Sequence, residues 1–209
     1  MSQQAQLDVL AVGDVVIDAF IKLQEDEAWV EERDDKKVLC MEFGSKLPFD
    51  SDKVVNAVGN AANAAVALSR LGLKTGFITN IGDDQRGIDV ARTLKGEGVD
   101  TRFVHENHGK TTNYHYVLRY GAERTILIKH EEYEYHWPRF RPVDVPGWVY
   151  FSSVSENAIE HYHDAIVEWL NENPDVKLAF QPGTFQMKLG AIKLENIYKQ
   201  SELFFCNKE

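Results

Sequence analysis

Two stretches of the sequence hold polar side chains whose setting suggests chemistry. Asp18 is a lone carboxylate in an apolar, β-branched run at residues 15–23. A carboxylate in such a run needs hydrogen-bonding partners or a ligand, and the alternative is an edge-strand residue that faces water. Asn60 and Asn63 follow Gly59 at the start of an alanine-rich segment. Small residues there allow a ligand or another backbone to come close.

The segment from Gly59 to Gly72 is predicted to form a helix of about three turns, because Ala favours helix and Gly often follows a helix end. A helix start carries unpaired backbone N–H groups and a partial positive charge, which suits a binding site. The same composition also fits an alanine-rich helix packed on a sheet, with Gly59 serving only as a turn. Both interpretations stand at this point.

Apolar runs typical of strands alternate with segments of helical periodicity along most of the chain. The predicted strands are residues 7–12, 74–81, 148–152, 176–180 and 203–206, and the predicted helices are 59–72, 85–95, 158–171 and 189–198. Strand and helix in repeated alternation predict an α/β fold with a doubly wound, mostly parallel sheet.

A second group of extended runs predicts a small antiparallel β lid beside the main sheet. These runs are residues 15–23, 38–43, 111–119 and 124–129. The charged stretch 24–37 is predicted to be a solvated loop between the first two. We expect the lid strands, at about 15–43 and 111–130, to be inserted in the main domain and to cover a site.

The composition and the residue patterns argue against several classes of protein. The net charge of −10 disfavours a general nucleic-acid binder. No apolar run reaches the length of a membrane span and the first residues do not resemble a signal peptide, so we expect a cytoplasmic protein without a membrane partner. Cys40 and Cys206 lie in apolar runs and are expected to be buried. The seven histidines lack zinc-site spacing, so no metal site is predicted.

The whole pattern resembles the ribokinase-like family of carbohydrate kinases, also called the PfkB family. Residues 58–63, running on to Gly72, are similar to the N-terminal signature of small residues and an Asn before a helix, with Val58 in place of the usual first glycine. Asp18 falls where the family has an acid that binds sugar hydroxyls. The Gly-Asp-Asp turn at 82–84 is similar to the next conserved turn.

The resemblance implies an enzyme that phosphorylates a sugar or sugar-derived hydroxyl with ATP and Mg²⁺. Asp18, Gly59, Asn60 and Asn63 would bind the sugar, because carboxylates, amides and backbone groups suit its many hydroxyls. Arg124 in the lid is a candidate contact for an anionic substituent, with a solvated strand residue as the alternative.

The resemblance also implies that part of the family's domain is missing from this sequence. Asn207 would open an Asn-x-x-Glu motif that supports the phosphate and magnesium network, and both its Glu and the catalytic base are expected beyond residue 209. We therefore expect residues 1–209 to be the N-terminal part of one ribokinase-like domain, inactive alone. Family members often pair through such lids, so a homodimer is also expected.

Two other functions stay open. One is a non-catalytic fragment that binds a sugar or nucleoside. The other is a nucleoside kinase of the same family, which would need an aromatic clamp for the base, with Trp29 and Phe43 as candidates.

Overall fold

The structure of the protein, a computed structural model, describes residues 6–207. Its strands are β1 (Val9–Val12), β2 (Val16–Leu23), β3 (Ala28–Arg33), β4 (Lys36–Met41), β5 (Phe49–Val58), β6 (Thr75–Gly82), β7 (Val104–Asn107), β8 (Tyr114–Tyr120), β9 (Glu123–Lys129), β10 (Trp148–Phe151), β11 (Lys177–Phe180) and β12 (Ser201–Phe204). Its α-helices are α1 (Asn60–Arg70), α2 (Gln85–Gly96), α3 (Ile159–Glu172), α4 (Thr184–Lys193) and α5 (Glu195–Gln200).

Six parallel strands form the main sheet, in the order β12-β11-β10-β1-β6-β7. β1 lies inside this sheet and all four of its residues are buried, as expected for a short apolar strand between two neighbours. Leu10 packs with Phe151 and Phe180 on the side of α3 and α5, whereas Ala11 packs with Phe77 on the side of α1 and α2. Neighbouring residues of β1 thus serve opposite faces, which confirms the predicted doubly wound α/β architecture.

The second sheet has four strands in the order β5-β2-β8-β9. β2 is antiparallel to β5 and parallel to β8, and β8 and β9 form an antiparallel hairpin. We call this sheet the lid. β2, β8 and β9 agree with the predicted lid strands, whereas β5, which begins at Phe49, was not among them.

The pairing predicted for residues 38–43 was wrong. β4 pairs with β3, inside the charged stretch that was predicted to be a loop, and the two form a separate hairpin. Asp34 and Asp35 make its turn with φ of 49° and 60°, and two residues of positive φ are what a tight two-residue hairpin turn requires. Glu32 lies opposite Lys37 across the hairpin, so part of the charge is neutralised between the strands.

Three other expectations concern the helix after β11, the two cysteines and the membrane. α4 begins at Thr184, well before the predicted start at 189, and Gly190 with φ of 79° interrupts it. Cys206 is exposed and Cys40 is half-buried, so the prediction of buried cysteines was wrong; Cys206 follows the edge strand β12, three of whose four residues are exposed. Within residues 6–207, no helix combines the length and the apolar character that a membrane span requires.

Candidate functional site

The loop after β1 brings the main sheet into contact with the start of α1. Gly13 has a φ of 153°, and a side chain there would place its Cβ 2.8 Å from the Cβ of Ala61 and 2.9 Å from the carbonyl oxygen of Ser153. The next residue, Asp14, donates its backbone N–H to that Ser153 oxygen at 2.7 Å. Only a glycine allows the loop to approach both neighbours so closely.

Asp14 is a buried carboxyl group at the carboxyl end of β1. Its side chain accepts a hydrogen bond from the hydroxyl of Tyr135 at 2.6 Å. Burial raises the pKa of Asp14 to about 7, although hydrogen bonds from Tyr135 and from the backbone of Ser155 act in the opposite direction. Near neutral pH this group therefore holds its proton for a large fraction of the time. No role for Asp14 was predicted from the sequence.

Asp18 lies on the lid strand β2, opposite Val55 of β5 and His115 of β8. Its side chain is 24% exposed, and one carboxylate oxygen lies 3.3 Å from Nδ1 of His115. That same oxygen has no hydrogen-bond partner among the described residues. The alternative of an edge residue facing water does not hold, because β2 has a strand on each side.

α1 begins beside this carboxylate without a side-chain cap. Gly59, its N-cap residue, has a φ of 111°, and a Cβ there would lie 3.0 Å from the carbonyl oxygen of Asp14. Asn60 is the first helical residue and is exposed. The first turn holds no acidic residue, so its partial positive charge is not balanced by a side chain of that turn.

Asp14, Asp18, Gly59 and Asn60 all line one cavity of about 350 Å³. Volumes of this size hold small ligands in other proteins. The cavity lies where the loop after β1, the start of α1 and the lid meet, and α4 forms a further wall. Its other lining residues are Val16, His115, Ile128, His130, Ser153, Val154, Thr184, Phe185 and Lys188.

His115 and His130 bring two lid imidazoles into this cavity. Their ring centroids lie 5.1 Å apart. Nε2 of His115 and Nδ1 of His130 are buried and have no hydrogen-bond partner among the described residues. Burial lowers the pKa of His130, and the nearby His115 lowers it further, so this ring is neutral at physiological pH. The spacing of the histidines in the sequence argued only against a zinc site. The sequence signal for a role of His115 is the alternation that places it with Val117 on one face of β8.

Three predicted site residues lie outside this cavity. Asn63 is exposed and lines a groove between β5, α1 and α2, with Val54 and Glu97 among its neighbours. Arg124 is exposed and lines a different cavity of about 540 Å³, between the lid hairpin and the β3–β4 hairpin. Asn207 is exposed beyond β12, while Lys208 and Glu209 lie outside the described residues.

The Gly-Asp-Asp turn at 82–84 joins α2 to the base of the lid and does not line the cavity. Asp84 caps α2 by accepting a hydrogen bond from the N–H of Gly87 at 2.9 Å. The same carboxylate accepts from the hydroxyl of Thr112 at 2.6 Å and from its N–H at 3.1 Å. Since β8 starts two residues after Thr112, this turn fixes the point from which the lid leaves the main domain.

Comparison with known proteins gives a family match. The family model described as "pfkB family carbohydrate kinase" matches residues 47–160, more than half of the chain. A segment of 46 residues is 50% identical to the 5-dehydro-2-deoxygluconokinase of Geobacillus kaustophilus, covering 22% of this chain and 14% of that protein. A segment of 53 residues is 45% identical to the fructoselysine 6-kinase of Escherichia coli, covering 25% of this chain and 20% of that protein.

Solved structures show the same fold. The nucleoside kinase of Methanocaldococcus jannaschii, an archaeal member of the ribokinase family, aligns with a TM-score of 0.68 at 15% identity, over 100% of this chain and 62% of that one. The ribokinase of Cryptococcus neoformans in complex with ADP aligns with a TM-score of 0.65 at 20% identity, over 96% of this chain and 56% of that one. This chain thus has a ribokinase-like fold and spans about three fifths of the length of these structures.

Proposed function

We propose that this chain, which belongs to the pfkB family of carbohydrate kinases, carries the acceptor-binding part of an enzyme that phosphorylates a sugar hydroxyl with ATP. The observation that carries the proposal is the carboxylate of Asp18, which enters the cavity between lid and main sheet with one oxygen unpartnered. That oxygen is buried and accepts no hydrogen bond from the described residues, with His115 Nδ1 3.3 Å away, and sugar hydroxyls are donors that would satisfy it.

The other lining groups suit the same ligand. Gly59 lets the backbone approach the ligand, and Asn60 offers both a donor and an acceptor from its side-chain amide. The lid strands carrying Asp18 and His115 would cover the bound sugar. A covered site keeps water from competing with the sugar hydroxyl for the phosphoryl group. Asn63 faces the groove beside β5, so the proposal does not rest on its side chain.

We assign the phosphoryl donor and the catalytic base to other parts of the whole protein. Related structures carry ADP, or ribose and ATP, and ATP accompanied by Mg²⁺ is the proposed donor here. Within residues 6–207, no group of three or more His, Cys, Asp or Glu side chains is arranged to hold a metal ion. Magnesium bound to a nucleotide takes most of its ligands from phosphates and water, and Asn207 would add a water-mediated contact to that network.

The edge of the main sheet supports this assignment. Leu203, Phe204 and Phe205 at and after β12 are each about half exposed, at 46–47%. Further structure of the whole protein packed on this edge would bury that apolar surface. The 56–62% coverage of the two solved kinase chains described above is consistent with such an extension.

The proposal is tested by ADP release from the whole protein with a panel of pentoses, hexoses, sugar acids and nucleosides. We expect release that depends on both ATP and one class of sugar. Binding of a sugar by calorimetry without ADP release would favour the alternative of a non-catalytic binder. Preference for a nucleoside would favour the nucleoside kinase, although Trp29 and Phe43, its candidate aromatic residues, do not line the cavity of Asp18.

A further inference from the structure

The cavity of Asp18 changes in chemical character from one end to the other. Asp18 is 3.3 Å from His115, whose ring is 5.1 Å from that of His130. His130 contacts Phe185 edge-on at 6.2 Å, and the amino group of Lys188 lies 5.5 Å from the centre of the Phe185 ring. A row of contacts thus leads from a carboxylate, through two imidazoles, to a cation.

The end at Lys188 is suited to an anion. Lys188 is exposed on α4 and forms no salt bridge among the described residues, and it is the one lysine or arginine that lines this cavity. His130 adds a buried ring nitrogen, Nδ1, that has no partner. An anion bound here would accept from the amino group of Lys188 and, in the tautomer that carries the proton on Nδ1, from the neutral ring of His130; the bond from the charged amino group is the stronger.

The charge of the cavity indicates which anion. Asp18 and Asp14, the two carboxyl groups that line the cavity, would repel an anion placed next to them, so the anion belongs next to Lys188. One lysine balances one negative charge, and no arginine lines the cavity to grip a phosphate with two parallel hydrogen bonds. A carboxylate matches this arrangement better than a phosphate ester.

We propose that Lys188 and His130 form a carboxylate subsite and that the acceptor of this kinase is a sugar acid. This inference rests on the proposed function and narrows its substrate class. Asp18 would bind the hydroxyls of the acceptor, and His115, next to Asp18, would contact the middle of the molecule through its unpartnered Nε2.

The test compares acceptors that differ only in one carbon, which is a carboxylate in one and a CH₂OH group in the other. Three such pairs are 2-keto-D-gluconate with D-fructose, D-gluconate with D-glucitol, and D-glucuronate with D-glucose. The whole protein is assayed for ATP-dependent ADP release with each, and D-fructose 6-phosphate is added as a phosphate probe. We expect at least one acid to exceed its neutral partner about tenfold or more in kcat/KM.

Variants connect this preference to Lys188. Lys188→Met is expected to lower the ratio of acid to neutral kcat/KM about 10- to 100-fold, and Lys188→Arg to retain most of it. Lys193→Met, an exposed lysine near the end of the same helix and outside the cavity, is the matched control and should leave the ratio within about twofold. His130→Phe keeps a ring against Phe185 but removes Nδ1, so it should lower the ratio as well.

The outcomes separate this inference from the proposed function. If a neutral sugar is the better acceptor in every pair, or if Lys188→Met leaves the ratio unchanged, the carboxylate subsite is wrong and the sugar kinase stands. A preference for D-fructose 6-phosphate over all the acids also overturns the carboxylate. If no acid or sugar is bound or phosphorylated, both proposals fail.

Discussion

Asp14 and Asp18 lie four positions apart in sequence, but their carboxyl groups differ in burial and in their neighbours. Asp14 is buried under Tyr135 at the end of β1, and its pKa is raised to about 7 by burial. Asp18 lies on the lid, one-quarter exposed and close to His115. We assign the ligand contact to Asp18, whereas Asp14 supports the floor of the cavity and positions the backbone oxygen that Gly59 packs against.

Asp14 gives a pH-dependent prediction for stability. Its ordinary pKa of 3.8 applies in the unfolded chain and the raised pKa of about 7 in the folded protein, so the folded state binds the extra proton between these values. Folding stability therefore falls as pH rises through this range. Between pH 5 and pH 8 we expect the free energy of unfolding of the native protein to fall by about 2–3 kcal/mol more than that of Asp14→Asn, whose side chain can still accept the hydrogen bond from Tyr135.

Urea unfolding of the whole protein at several pH values measures this difference. Asp175→Asn, at an exposed position, is the control and should follow the native protein across the whole range. Parallel stability curves for the native protein and Asp14→Asn would show that burial does not perturb Asp14.

Asp18→Asn tests the ligand contact. Loss of the negative charge weakens hydrogen bonds from sugar hydroxyls, so kcat/KM of the whole protein should fall by roughly one to three decades. Asp52→Asn, on the neighbouring strand β5 and exposed, should change kcat/KM by no more than about twofold. Equal kinetics for Asp18→Asn and the native protein would remove Asp18 from the site.

The sequence was informative about some site residues and silent on others. It singled out Asp18, Gly59 and Asn60, which the fold brings into one cavity. It could not tell which side of α1 faces the lid, and Asn63 projects into the groove beside β5 instead. His130 follows β9, which pairs with β8 in a hairpin, and β8 lies beside Asp18 only because it pairs with β2, far away in sequence.

The start of α2 holds the lid in place. Gly87 packs so closely on the turn that a Cβ there would lie 2.2 Å from the carbonyl oxygen of Gly82. A Cβ at Gly82 in turn would lie 2.4 Å from the carbonyl oxygen of Lys110, in the segment that leads into the lid. These glycines are needed for close packing between backbones, which explains the turn without a ligand.

Substitution of two glycines in the same helix tests this packing. Gly87→Ala should destabilise the whole protein by about 1–3 kcal/mol, because neighbouring backbone must move to admit the methyl group. Gly96→Ala, at the last residue of α2, meets no atom within 4 Å and should be neutral or stabilising by up to about 1 kcal/mol. Thermal or urea unfolding measures both, and equal stability of the two variants would contradict a role for Gly87 in packing.

Five of the six main-sheet strands were predictable because they are short, mostly apolar runs bounded by loops, whereas β7, which reads Val-His-Glu-Asn, was not predicted. The lid was harder, because β2 pairs with β5 and β8 across long separations in sequence. The β3–β4 hairpin was missed since its turn uses two aspartates rather than the Asn-Gly or Asp-Gly pair that marks such turns most clearly. α4 was misplaced because Gly190 divides it, and only the part from Leu189 onwards was predicted as helix.

Three surfaces of the molecule are candidate binding sites. They are the cavity of Asp18, the groove of Asn63 and the cavity of Arg124. The exposed strand β9, with Ile126, Leu127 and Ile128 between 41% and 64% exposed, is a further surface, and we propose it as the contact of a homodimer formed through the lid. Only the first surface joins lid and main sheet around an unpartnered carboxylate.

Amide hydrogen exchange of the whole protein, with and without a saturating acceptor found in the ADP-release assay, tests whether the cavity of Asp18 binds the acceptor. We expect slower exchange with the acceptor at residues 14–18, 59–62, 114–117 and 128–130, because ligand contacts and lid closure protect these backbones. Protection confined to the groove at 53–58 and 93–97, or to the hairpin cavity at 30–39 and 120–125, with residues 14–18 unchanged, would contradict it.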